Sequence, residues 1–97
     1  MRYTFTAKVW VYPGQGGWQF VTIPADISDS IAKFAAEQRA AFGSIGVMAE
    51  IGTTQWKTSL FPDKRTKSFL LPLKAKIRRQ EKISDGDSIE FSLTIEP

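Results

Sequence analysis

Three stretches of the chain hold the residue types from which chemistry could be built. Residues 64–82 carry eight basic side chains (Lys64, Arg65, Lys67, Lys74, Lys76, Arg78, Arg79, Lys82) against Glu81 alone, a local charge of +7. Residues 1–63 balance to zero, and residues 83–97 carry −4 from Asp85, Asp87, Glu90 and Glu96, which leaves +3 overall. Lys74, Arg78 and Lys82 recur every four residues, so a helix would set them in one row. With Lys64, Arg65 and Lys67 they form the constellation best suited to a phosphate or another anion. A plain solvated face competes with that reading and outweighs it, because small domains often cluster charge without a polyanion partner. Glu81 can pair with Arg78 at three residues' spacing. Phe69 is the one aromatic residue interleaved with these cations, which weakens a single-strand nucleic-acid reading.

The second stretch is Trp56-Lys57-Thr58-Ser59, and with it goes Trp18. The two tryptophans are the largest apolar side chains in the middle of extended segments, and packing in the core or at a barrel end is their plainest role. Their functional alternative is a stacking platform for a base, a sugar or a planar ligand. Lys57 and Ser59 share one face of a strand, so a Ser–Lys nucleophilic pair is conceivable. Such a pair needs a desolvated lysine within hydrogen-bond reach of the hydroxyl, which neighbouring same-face strand positions rarely enforce. The third stretch, Asp85-Gly86-Asp87, could divide acid and base roles or hold a hard cation. A tight turn whose aspartates cap local amides explains it more simply.

Other chemistry is excluded outright. The 97-residue chain has no cysteine and no histidine, which removes disulfides, Cys or His metal sites, Cys nucleophiles and His-based acid–base catalysis. Gly14, Gly16 and Gly17 lead into a strand rather than a helix, so they do not make a phosphate-binding P-loop. Gly43-Ser44-Ile45-Gly46 matches a KH-type clamp in letters only; a helix stop accounts for it better. No apolar run approaches the ~20 residues that span a bilayer, and the N-terminus lacks a signal-peptide pattern, so a cytoplasmic setting is the default.

The elements that must position these residues follow from patterning. Residues 2–12 alternate, with Tyr3, Phe5, Ala7, Val9 and Val11 toward a core and Thr4, Thr6, Lys8, Trp10 and Tyr12 away from it. A glycine-rich loop at 13–17 predicts a hairpin with an extended segment from Trp18 to Ile23, ended by Pro24. A helix is predicted over 29–42, with Ser28 or Asp29 as N-cap, Ile31, Phe34, Ala35, Gln38 and Phe42 inward, and Gly43 as the stop. Further strands are predicted at 47–51, 55–61 and 68–71, then a short, mostly exposed helix at about 73–81. The last strand places Ile89, Phe91, Leu93 and Ile95 inward. The order is β-β-α-β-β-β-α-β, a mainly β (α+β) single domain over residues 1–97. Six short strands exceed what two helices can cover, so the sheet should curl on itself.

Several motifs in this order make the chain familiar. They are Phe5-Thr6-Ala7-Lys8-Val9, Gly17-Trp18-Gln19-Phe20-Val21-Thr22-Ile23-Pro24, and Trp56-Lys57-Thr58-Ser59-Leu60-Phe61-Pro62. Leu71-Pro72, Arg78 and Gly86-Asp87-Ser88-Ile89-Glu90-Phe91 complete the set. Together they resemble the family catalogued as domain of unknown function 1905, and the likeness covers nearly the whole chain. It implies a small, partly split β-barrel with two helices in a bacterial cytoplasmic protein, and no established activity.

The expected function is a non-enzymatic binding or interaction module with a basic face around residues 64–82, needing no cofactor and no metal. The residues singled out for ligand binding are Trp18, Trp56, Ser59, Lys74, Arg78 and Lys82. A protein surface, a nucleic acid or a small anion could be the partner, in that order, and a membrane is not expected. The alternative is a small-molecule-binding protein or enzyme with a site at the barrel mouth, uniting Trp18, Trp56, Ser59 and Arg78. Self-association through an open edge strand is a third possibility.

Overall fold

The alternating pattern of the first ten residues becomes β1 (Arg2–Val11), in which Phe5 and Val9 are buried and Thr4, Thr6 and Lys8 are exposed. A computed structural model describes residues 1–14, 16–38 and 44–95. After β1 come β2 (Gln19–Thr22), α1 (Ala25–Gln38), β3 (Ile45–Ile51), β4 (Thr54–Asp63), β5 (Ser68–Pro72), α2 (Ala75–Glu81) and β6 (Ser88–Thr94). The strands close into an antiparallel barrel in the order β1-β2-β5-β4-β3-β6.

Two ten-residue strands turn the corners of this barrel. In β1, Arg2–Lys8 pair with β6 and Val9–Val11 pair with β2. In β4, Thr54–Leu60 pair with β3 and Phe61–Asp63 pair with β5. The expected splitting therefore survives only as this handover at two corners, and the circuit of strands is closed. Closure also removes the open edge on which edge-to-edge self-association would rest.

The interior is apolar and filled. Phe91, Leu60, Leu71, Leu93 and Val21 are fully buried, and Phe91 stacks on Phe5 with ring centroids 5.8 Å apart. From α1, Ile31 enters the same core, and Leu73 and Ile83 enter it on either side of α2, where Ile77 is also buried.

Helix α1 starts four residues before its predicted beginning. The Pro24 carbonyl accepts the first helical hydrogen bond, from Ser28 N at 2.8 Å, which makes Pro24 the residue flanking the helix start at Ala25. Ser28 is therefore not the cap but lies inside the helix, 2% exposed. Its hydroxyl donates to Ile23 O (3.2 Å) and accepts from Phe69 N (3.1 Å), pinning α1 to the end of β2 and to β5. The predicted inward Phe42 and the Gly43 stop lie outside the described residues, as do the side chains of the predicted inward Ala35 and Gln38.

Candidate functional site

The two halves of the barrel differ on their outer surfaces, and the difference begins where β1 changes partner. Opposite β6 the outer residues of β1 are Thr4, Thr6 and Lys8; opposite β2 and beyond they are Trp10 and Tyr12. The same change occurs on β4, from Lys57 and Ser59 opposite β3 to Phe61 opposite β5. Cross-strand partners share a face, so Trp10 meets Phe20, and Phe61 meets Leu70. One half of the barrel thus has an ordinary polar exterior, while the other wears aromatic rings on its outside.

These rings form a connected cluster. Trp10 and Phe20 lie 5.4 Å apart between centroids, Tyr12 is 6.2 Å from Trp10 and 6.1 Å from Phe20, and Trp18 stacks nearly parallel to Phe20 at 6.5 Å. The Trp10 indole is fixed by its Nε1 donating to Thr22 Oγ1 at 3.0 Å. Trp18 is 64% exposed and Tyr12 52% exposed, so each keeps ring surface in water. The expected core role therefore fails for Trp18, which stands just before β2 and not in its middle. Gly16 explains the placement: its φ is +93°, and a Cβ there would come 2.7 Å from Trp18 Nε1. Only a glycine lets the indole lie against the loop.

Cations stand at both ends of the cluster. The turn after β4 is shaped by Asp63, whose carboxylate accepts from Arg65 N (3.2 Å) and Thr66 Oγ1 (2.8 Å). That turn carries the Arg65 guanidinium back over the Trp10 ring, 5.7 Å from its centroid. At the other end, Trp18, Gln19, Lys74 and Arg78 line a cleft of about 380 Å³ between the β1–β2 loop and the start of α2. Arg78 is oriented there by its Nε donating to Leu73 O at 3.1 Å. Neither Lys74 nor Arg78 has an acidic partner: among the described residues the one ion pair is Arg2 with Glu50. The expected Arg78–Glu81 pairing does not form, because Glu81 accepts from Thr54 Oγ1 at the start of β4.

The remaining predicted residues are placed differently. Trp56 is half-buried and packs against the core, as a core tryptophan should, with its Nε1 covered and without a hydrogen-bond partner among the described residues. It lines a second cleft, of about 450 Å³, that shares Lys74 with the first. Ser59 faces outward opposite Gly46 on β3 and does not line the cleft that holds Arg78. No hydrogen bond joins Lys57 to Ser59 among the described residues, and Lys57 is exposed. Of the expected helical row Arg78 alone lies within α2: Lys74 is its N-cap, with extended backbone (φ −65°, ψ 150°), and Lys82 its C-cap, left-handed at φ 54°. Phe69 is buried in the core, so it adds nothing to the basic surface. Asp87 caps the turn it was expected to cap, its Oδ2 accepting from Ser84 N at 2.8 Å. No group of three or more acidic side chains among the described residues could hold a metal ion.

Arg65 belonged to the expected basic constellation, whereas Trp10, Tyr12 and Phe20 were not among the residues singled out for binding. Their signal was present in the alternation itself, which put Trp10 and Tyr12 on the face that should have been polar.

The molecule is thus a small closed β-barrel with an apolar interior and an outer face of rings bounded by cations. The chain belongs to the family described as a domain of unknown function, DUF1905, whose family model matches residues 5–93. No curated protein matches it. No helix among the described residues is long and apolar enough to cross a membrane.

Proposed function

We propose that the protein is a non-enzymatic binding module that engages an anionic partner through the face built by the β1–β2 hairpin, the 64–67 turn and α2. What carries this reading is that Lys74 and Arg78, free of acidic partners among the described residues, share a cleft with the exposed ring of Trp18. Cations beside exposed rings attract a ligand that is both charged and planar or apolar, and neither feature contributes to the core. A cytoplasmic setting belongs with this reading. The filled interior and the separation of Ser59 from the Arg78 cleft count against a catalytic site at the barrel mouth.

The test uses long-chain inorganic polyphosphate as the probe, titrated at several salt concentrations. Binding should weaken steadily as salt rises and fall severalfold in Lys74→Glu, whose side chain is exposed and makes no hydrogen bond among the described residues. No binding at low salt, or full binding by Lys74→Glu, overturns the proposal.

A further inference from the structure

We infer that the occupant of this face is single-stranded nucleic acid, its bases stacked on Trp18 and Tyr12 and its phosphates held by Lys74, Arg78 and Arg65. This rests on the reading of the face as an anion-binding surface and adds the chemistry of the partner. Three observations on the molecule converge on it.

The first is the pairing of ring and cation. A bare phosphate or polyphosphate would satisfy Lys74 and Arg78 but leave Trp18 and Tyr12, 64% and 52% exposed, without a purpose. A nucleotide brings both a π-face and a negative charge, and stacking on aromatic side chains is how sequence-tolerant single-strand binders hold each base. Duplex bases are already stacked on one another and paired, so their faces are closed to these rings.

The second is extent. The rings run from Trp10 through Phe20 to Trp18 at centroid steps of 5.4 and 6.5 Å, with Arg65 over the first and the Lys74–Arg78 cleft beside the last. Cations at both ends of an aromatic track suit a polymer whose charge repeats along its length, whereas one nucleotide could meet only one end. The third is rigidity. The Trp10 indole is held by Thr22, Trp18 lies against Gly16 and Phe20, and Arg78 is anchored to the Leu73 carbonyl. A platform set in place before binding loses little side-chain freedom when a base arrives.

The experiment is fluorescence anisotropy with labelled mixed-sequence oligonucleotides of about 12 nucleotides, within the usual span of such sites. They are offered as DNA strand, RNA strand and DNA duplex, beside polyphosphate and a poly-glutamate peptide. One or both single strands should bind more tightly than the duplex, the polyphosphate and the peptide. Comparing the DNA and RNA strands identifies the source. Trp18→Ala should weaken single-strand binding about tenfold, as expected for one lost base stack, and leave polyphosphate binding within twofold of the parent. Because Trp18 is exposed and outside the core, an unchanged unfolding midpoint will show that Trp18→Ala still folds. Equal or tighter binding of the duplex or the peptide overturns the inference, as does an undiminished single-strand affinity in Trp18→Ala. Either result with polyphosphate binding intact leaves the anion-binding reading standing; loss of polyphosphate binding in the parent protein removes both.

Discussion

Replacing Ser28 by alanine removes one oxygen atom, and the structure says how much that atom holds. Its hydroxyl is the acceptor for Phe69 N and a donor to Ile23 O, at a site only 2% exposed where water cannot take its place. The ladder beside it continues through Ile23 N donating to Phe69 O at 2.9 Å, so the serine closes the seam between β2, β5 and α1. Alanine fills nearly the same volume, which keeps any packing penalty small and leaves the orphaned Phe69 N–H as the main cost. A buried donor without a partner costs about 1–3 kcal/mol. Taking about 2 kcal/mol, the thermal midpoint of a domain this size should fall by about 8–16 °C. The assay is thermal unfolding followed by circular dichroism, with Asp29→Ala as the control. Asp29 is exposed, makes no hydrogen bond among the described residues and should change stability by less than about 0.5 kcal/mol. A midpoint shift below about 2 °C for Ser28→Ala would refute the reasoning. So would an Asp29→Ala loss of equal size, which would return the capping role to the residues predicted for it.

Phe91→Ala deletes a fully buried ring stacked on Phe5 and should cost about 3–5 kcal/mol, enough to lower the midpoint by more than about 12 °C in the same assay. Gly16→Ala places a methyl group 2.7 Å from Trp18 Nε1 at a φ of +93°; the indole should swing away, shifting tryptophan emission and weakening single-strand binding as Trp18→Ala does while the barrel stays folded. Lys74→Ala should reduce the steepness of log affinity against log salt by about 0.7, the increment for one phosphate contact on a single strand, with little change in stability.

Every strand was located within a few residues: β1 and β6 by their alternation, and the others as extended runs bounded by turn residues, β5 being buried continuously from Ser68 to Leu71. What such local patterning could not state is partnership. That β1 and β4 each serve two neighbours depends on register between strands far apart in the chain, and so the handover at Val9 and at Phe61 was invisible. The helix-start error has a local cause: Ser28 and Asp29 have the chemistry of caps, but Pro24 already ends β2 and its carbonyl starts the helix, leaving Ser28 free to turn inward. The Arg78–Glu81 pair obeyed helix spacing and lost to Thr54, a partner 27 residues away that spacing rules cannot see. Of the candidate site, Trp18, Lys74 and Arg78 are gathered into one cleft as a ligand site requires. Ser59 and Lys82 are not, since strand alternation turns one outward on β3–β4 and the left-handed cap carries the other out of the helical row.

Phe91, Leu60, Leu71 and Leu93 occupy the interior of this six-stranded barrel, and the proposed ligand is met on the outside. The outer surface is therefore where selection for binding would leave its mark, and β1 allows a comparison within a single strand. Stability alone is served by outer residues such as Thr4, Thr6 and Lys8, which cover the ladder to β6 and keep water in contact with polar groups. Had the rest of the strand answered only to folding, the same choice would have continued past Val9. Instead the outer positions become Trp10 and Tyr12, joined by Trp18, Phe20 and Phe61, with the apolar area of several of them left in water. Exposed apolar surface of this kind is a common feature of interaction sites, and the proposed binding face rests on it. Its boundary falls at the strand handover: the polar half covers the ladder to β6, and the aromatic half carries the face proposed above for the ligand.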